Sequence, residues 1–186
     1  MNNTYCQKCP IRLFNNKHYN LQGIGNPNYG NLIIIPNVDY SAYKNKSLEY
    51  SEQVKIIQSV LSSSTGEATN YYILPLLRCN EFISCPSTEE IINNCINYLA
   101  YDIKQYNFKH ILVLGSAVNR LLHRTNITND LNTIFISKNY RLYNVNYAPC
   151  IKSKNKKLYE VFKQTLLKWH NIIINRHYEN YKFEEL

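Results

Sequence analysis

Three short, unbroken apolar runs constrain this chain more than any other feature: Leu32–Ile35, Tyr71–Leu77 and Ile111–Leu114. Each is far below the roughly eighteen residues that a membrane span needs. Each is also continuous, where a strand with one wet face would alternate, so both faces must be covered by other parts of the chain. That is the pattern of central strands in a parallel sheet. The first run is expected to end at Pro36, because proline cannot donate to a ladder. The third leads into Gly115-Ser116-Ala117 and a short helix through Leu122.

The segments between the runs carry helical spacing. Val54, Ile57, Val60 and Leu61 mark one stripe, and Ile91, Ile92, Cys95, Ile96, Leu99 and Ile103 mark a second. Ser87-Thr88-Glu89-Glu90 offers a hydroxyl N-cap and a carboxylate three residues on, so the second helix should start there. Asn132–Ser137 and Leu142–Asn146 read as two further strands about Lys138-Asn139-Tyr140. A last helix from about Lys156 to Ile174 buries Leu158, Val161, Phe162, Thr165, Leu166 and Trp169. Strands alternating with helices predict a three-layer α/β/α domain with a mainly parallel central sheet. The expected organisation is one domain over residues 1–175, with an N-terminal cysteine hairpin, and a polar, frayed tail over 176–186.

The cysteines form a pattern of their own. Cys6-Gln7-Lys8-Cys9 is a C-x2-C pair, Cys79 ends the second apolar run, and Cys95 lies fifteen intervening residues later on the next helix. Four thiolates from a pair and two distant singles suit either a tetrahedral zinc or an iron–sulfur cluster. Cys85 could stand in for Cys79, and Cys150 is left over. The polar start MNNTYCQKC is not a signal peptide. The expected location is the reducing cytoplasm, where cysteines serve as metal ligands more readily than as disulfides. Abundant Asn, Ile, Lys and Tyr point to an AT-rich coding genome of the kind found in phages, parasites and low-GC bacteria; for a phage the compartment is the host cytoplasm.

Charge narrows the partners. With 21 Lys and Arg against 13 Asp and Glu the net charge is +8, which favours an acidic partner, most commonly nucleic acid. No membrane partner is expected. The basic loop Ile151-Lys152-Ser153-Lys154-Asn155-Lys156-Lys157 is a candidate contact. So is the strand, small-residue turn and helix start at Ser116, with Arg120 behind it, which could bind a phosphate or simply cap the helix. Asn37, Asp39 and Tyr40, just past the first strand, lie where open α/β sheets place a ligand.

With these pieces in order, residues 6 to about 167 resemble the iron–sulfur uracil-DNA glycosylases, often called family 4. The resemblance rests on Cys6-x2-Cys9, Gly23-Ile24-Gly25-Asn26-Pro27, Tyr72–Cys79, the step to Cys95, and Leu112–Ala117 with Leu121-Leu122. It implies a structural [4Fe–4S] cluster on Cys6, Cys9, Cys79 and Cys95, with zinc as the alternative. It also places Tyr40 and Tyr43 where that family keeps a base-stacking aromatic, and Ile151 where an apolar residue wedges into the duplex. Three polar positions depart from the pattern. Ile35-Pro36-Asn37-Val38-Asp39 replaces the segment carrying the water-handling acid, Pro75 stands in place of the base-reading Asn, and Ala148-Pro149 replaces His-Pro. Losing a single positioned donor costs about a hundredfold to a thousandfold in rate. The expectation is therefore a glycosylase-like protein without base excision. It would serve as a DNA-binding or assembly subunit beside a polymerase or another nucleic-acid-processing protein, with phosphate contacts from Ser116, Arg120, Lys152, Lys154 and Lys156. The alternatives are an active divergent glycosylase using Asn37 or Asp39, and a protein-binding adaptor without DNA affinity.

Overall fold

The computed structural model describes residues 9, 21–65, 70–79, 88–115, 117, 133–145, 155–178 and 181–185. Among these the chain forms a seven-stranded sheet and four α-helices. The strands are β1 (Ile24–Gly25), β2 (Asn31–Asn37), β3 (Tyr72–Leu77), β4 (His110–Leu114), β5 (Thr133–Ile136), β6 (Arg141–Val145) and β7 (Lys182–Glu185). The helices are α1 (Tyr40–Asn45), α2 (Glu52–Thr65), α3 (Thr88–Tyr106) and α4 (Lys156–Asn175). The expected start of α3 at Ser87 and the helix running to Leu122 lie outside the described residues.

The strand order is β1-β3-β2-β4-β6-β5-β7. The centre, β3-β2-β4-β6, is parallel, as the unbroken apolar runs require. The sheet as a whole is mixed rather than mainly parallel. β1 runs antiparallel to β3, β5 runs antiparallel to β6, and β7 follows β5. The cause is connection length. Between β5 and β6 only Ser137–Tyr140 intervene, closed by a Ser137 N–H to Tyr140 carbonyl bond of 2.9 Å, whereas a parallel return needs a dozen residues or more.

Two further expectations are corrected. β2 continues through Pro36 to Asn37, which pairs with Leu77. Pairing with β4 has ended by then, at Ile34, so the missing N–H leaves no ladder bond unmade on that flank. Pro75 is accommodated in the same way, because β1 flanks β3 only at Tyr72 and Ile73. The tail does not fray into solvent: Lys182–Glu185 is the edge strand β7, anchored by Tyr178 and Tyr181 against the core. Its Lys and Glu side chains suit an edge, where charge discourages further strand addition.

Side chains of the central strands alternate between two cores. Ile33, Ile35, Ile73, Leu112, Leu114, Tyr143 and Val145 pack with Val54, Ile57, Val60 and Leu61 of α2 and Phe162, Leu166 and Trp169 of α4. Leu32, Ile34, Leu74, Leu76, Ile111 and Val113 pack instead with Leu99 of α3 and Phe108. The period of two in each strand sets this division. Trp169 is fully buried and donates from Nε1 to the Asn144 carbonyl at 2.7 Å, which fixes α4 on β6.

Candidate functional site

Gly23 and Gly25 show why the segment before β2 has its sequence. A Cβ on Gly25 would stand 2.1 Å from the Tyr71 carbonyl oxygen, and its φ of +104° is one that side chains rarely adopt. A Cβ on Gly23 would stand 2.3 Å from the Tyr72 ring. Both glycines let this segment lie flat on β3, and Leu21 follows with an N–H bond of 3.1 Å to the Arg78 carbonyl. Leu21 is thereby held at the end of β3, beside Cys79.

At that end, Cys9, Cys79 and Cys95 share a buried cluster with Leu77 and Ile91, and Ile92 packs against it. The three cysteines are 3–6 % exposed. Arg78, the residue before Cys79, is buried and ion-paired with Asp102 of α3, and its guanidinium lies 3.7 Å over the Tyr98 ring. Cys95, Tyr98 and Asp102 recur at helical spacing, so one stripe of α3 meets Arg78 and Cys79 together. The donor chemistry of three buried cysteines in an apolar shell fits a thiolate-held metal or cluster. Among the described residues no three His, Cys, Asp or Glu side chains converge on one metal position. Cys6, the fourth expected ligand, lies outside the described residues, as do Cys85 and Cys150.

The residues after β2 lie at the carboxyl edge of the parallel strands, where the order reverses from β3 to β4 about β2. Such a switch point is the usual ligand position of an open α/β sheet. The carboxylate of Asp39 is already engaged there. Oδ1 accepts from the Ala42 N–H at 3.0 Å and caps α1, while Oδ2 accepts from the Ser51 hydroxyl at 2.6 Å and the Gln53 N–H at 3.4 Å. Ser51 Oγ in turn accepts from the Val54 N–H at 3.3 Å, at the start of α2. Asp39 is thus the joint between two helix starts. Asn37 receives the Gln53 amide at its carbonyl, 3.2 Å. Tyr43 packs on the core and Tyr40 is exposed.

Of the expected nucleic-acid contacts, Lys156 is described: it is exposed at the first position of α4, whose N-cap is Asn155. Ser116, Arg120, Ala148, Ile151, Lys152 and Lys154 lie outside the described residues.

Sequence reasoning missed a basic concavity at the opposite, amino edge of the sheet. A groove of about 570 Å³ is lined there by Lys109, Lys138, Arg141 and Arg176 with Tyr140 and Tyr178. His110, also in its wall, bonds through Nδ1 to the Tyr143 hydroxyl at 2.9 Å. Burial first, and then the fields of Arg141 and Arg176, lower its pKa from 6.5 to about 4. A smaller hollow of about 280 Å³ shares Lys109, His110 and Arg176 and adds Tyr29 and Ile174.

No protein-family model matches the chain, and no curated protein matches it either. Among the described residues no helix is long and apolar enough to cross a membrane.

Proposed function

We propose that the chain is a cysteine-ligated metal protein of uracil-DNA glycosylase-like plan that binds nucleic acid without excising bases. The observation that carries this reading is the burial of Cys9, Cys79 and Cys95 in one cluster, although they come from three separate parts of the chain. Spacing alone groups these residues, and their shared burial supports a common ligand. A [4Fe–4S] cluster is the favoured group and zinc the alternative; when bound, it would tie the N-terminal segment, β3 and α3 together. The two cores on alternate sides of the strands support a three-layer α/β/α arrangement. Commitment of the Asp39 carboxylate to two helix starts argues against its service as a catalytic base, and Pro75 has no side-chain donor for reading a base. The protein would then act as a DNA-binding or assembly subunit in a reducing compartment, alongside a polymerase or a similar nucleic-acid-processing protein.

Anaerobic purification with iron, sulfide and zinc analysis tests the central element. About four irons per chain, lost in Cys95→Ala, is the expected result. One zinc would keep the cysteine site and replace the cluster, and a metal-free protein would overturn the reading. Incubation with uracil-containing duplexes should leave no abasic sites; their appearance would restore an active glycosylase.

A further inference from the structure

The amino-edge groove gathers four cations from three distant parts of the chain: Lys109, the β5–β6 hairpin with Lys138 and Arg141, and Arg176. Parallel register is the reason: Asn31, His110 and Arg141 stand in one row at the starts of β2, β4 and β6. Lys109 and Lys138 flank that row, and Arg176 follows the end of α4. None of the described lining residues is acidic, and none of the four cations is in an ion pair among the described residues. Lys109 Nζ bonds to the Asn107 amide oxygen at 2.9 Å, and Arg141 donates to the Tyr178 hydroxyl at 3.3 Å while lying over that ring at 4.6 Å. Among the described residues these contacts leave most of their donors for a ligand, since a guanidinium alone carries five. Arg176 sits at φ +56°, a left-handed position normally taken by Gly or Asn. Its charge also suits the negative end of the α4 dipole, but that accounts for one cation in four.

The aromatic lining selects among anions. Tyr29 is 55 % exposed and Ile174 43 % exposed in the smaller hollow, and Tyr140 and Tyr178 are half-buried in the larger. Two adjoining hollows with a shared basic wall suit an extended chain of phosphates. A groove that pairs cations with aromatic faces is how proteins hold single strands, with phosphates on the cations and bases stacked on the rings. The convex backbone of a duplex has no matching surface in a concavity of this size. We infer that the amino-edge groove is a single-stranded nucleic-acid site in which Lys109, Lys138, Arg141 and Arg176 hold backbone phosphates and Tyr29 and Tyr178 receive bases. This rests on the nucleic-acid half of the proposed function, and is independent of the cysteine site and of the 152–156 loop.

The test is salt-dependent binding of a fluorescent single-stranded oligonucleotide to the full chain. It compares wild type, Lys138→Gln/Arg176→Asn, and a control, Lys44→Gln/Lys55→Gln, at two exposed lysines that line neither hollow. Lys138 and Arg176 are exposed, and Asn tolerates the left-handed position, so an unchanged thermal midpoint is expected for the groove variant. Its affinity should fall about tenfold, and its log–log salt slope should shrink by about 1.4, at roughly 0.7 per lost phosphate contact on a single strand. The control variant should bind the strand as wild type does. If wild type binds strand but the groove variant binds equally well, the groove assignment is overturned while nucleic-acid binding stands. If wild type binds no nucleic acid at low salt, the broader reading fails as well. Full displacement of the strand by equimolar mononucleotide, or equal affinity for an acidic peptide, would also overturn the single-strand assignment.

Discussion

The guanidinium of Arg78 is buried against the carboxylate of Asp102, joining the residue before Cys79 to the helix that carries Cys95. Both groups lie out of water, with side-chain exposures of 3 % and 11 %. Tyr98 covers the guanidinium, and Arg78 Nε has no hydrogen-bond partner among the described residues. An arrangement of this kind holds position at the cost of desolvation, so removing one partner hurts more than replacing both.

Asp102→Ala should therefore destabilise the fold by about 3–5 kcal/mol, because it strands a buried cation. The double variant Arg78→Met/Asp102→Leu should recover most of that loss. Urea denaturation of the three proteins checks this. A double variant no more stable than Asp102→Ala would mean that the pair itself supplies net stability.

Asp39 gives a second test. Asp39→Ala removes the cap of α1, typically about 1 kcal/mol, and deprives the buried Ser51 hydroxyl of its acceptor, a further 1–3 kcal/mol or so. Asp39→Asn keeps a good capping side chain and should cost clearly less. Denaturation midpoints rank the variants; equal losses would show that charge, and not capping geometry, is what the joint needs.

His110 sets a pH dependence. Its folded pKa of about 4 lies below the ordinary 6.5, so between those values the unfolded chain binds more protons than the folded one. Stability contributed here is complete above about pH 6.5, declines as pH falls toward 4, and changes little below that. Arg141 and Arg176 oppose a charge at this position, which is also partly withdrawn from water. His110→Gln should flatten the fall in denaturation midpoint between pH 7 and pH 4.5 relative to wild type. Parallel curves would exclude His110 as its source.

Gly25→Ala should cost more than about 1 kcal/mol from its left-handed backbone alone, with a further loss from overlap with the Tyr71 carbonyl. Because β1 ties the N-terminal segment to β3, the same variant should expose that segment to limited proteolysis before the remainder of the domain. Simultaneous cleavage everywhere would show that β1 has no separate stability.

Much of the fold was legible because its elements carry their reasons locally. β2, β3 and β4 are continuous apolar runs, and α2, α3 and α4 show their buried stripes at helical spacing. β7 was not legible, because Lys182, Glu184 and Glu185 give no strand pattern, and their pairing depends on the open edge of β5. The strand across Pro36 was missed because sequence does not reveal which flank of a strand lacks a neighbour. Asp39 drew attention by its place after a strand, and only its three hydrogen bonds identified it as a double cap.

The sequence by itself determined an α/β chain with parallel central strands and a net positive charge, and it set out the cysteines on which the proposed shared ligand rests. These follow from periodicity, composition and spacing, which are local properties. Tertiary structure decided that Cys9, Cys79 and Cys95 share one buried cluster, that β1, β5 and β7 run against the central strands, and that Lys109, Lys138, Arg141 and Arg176 line one groove. Each of these depends on register between segments far apart in the chain. Parallel pairing aligns strand starts on one edge and strand ends on the other, and that alignment cannot be read from any segment alone.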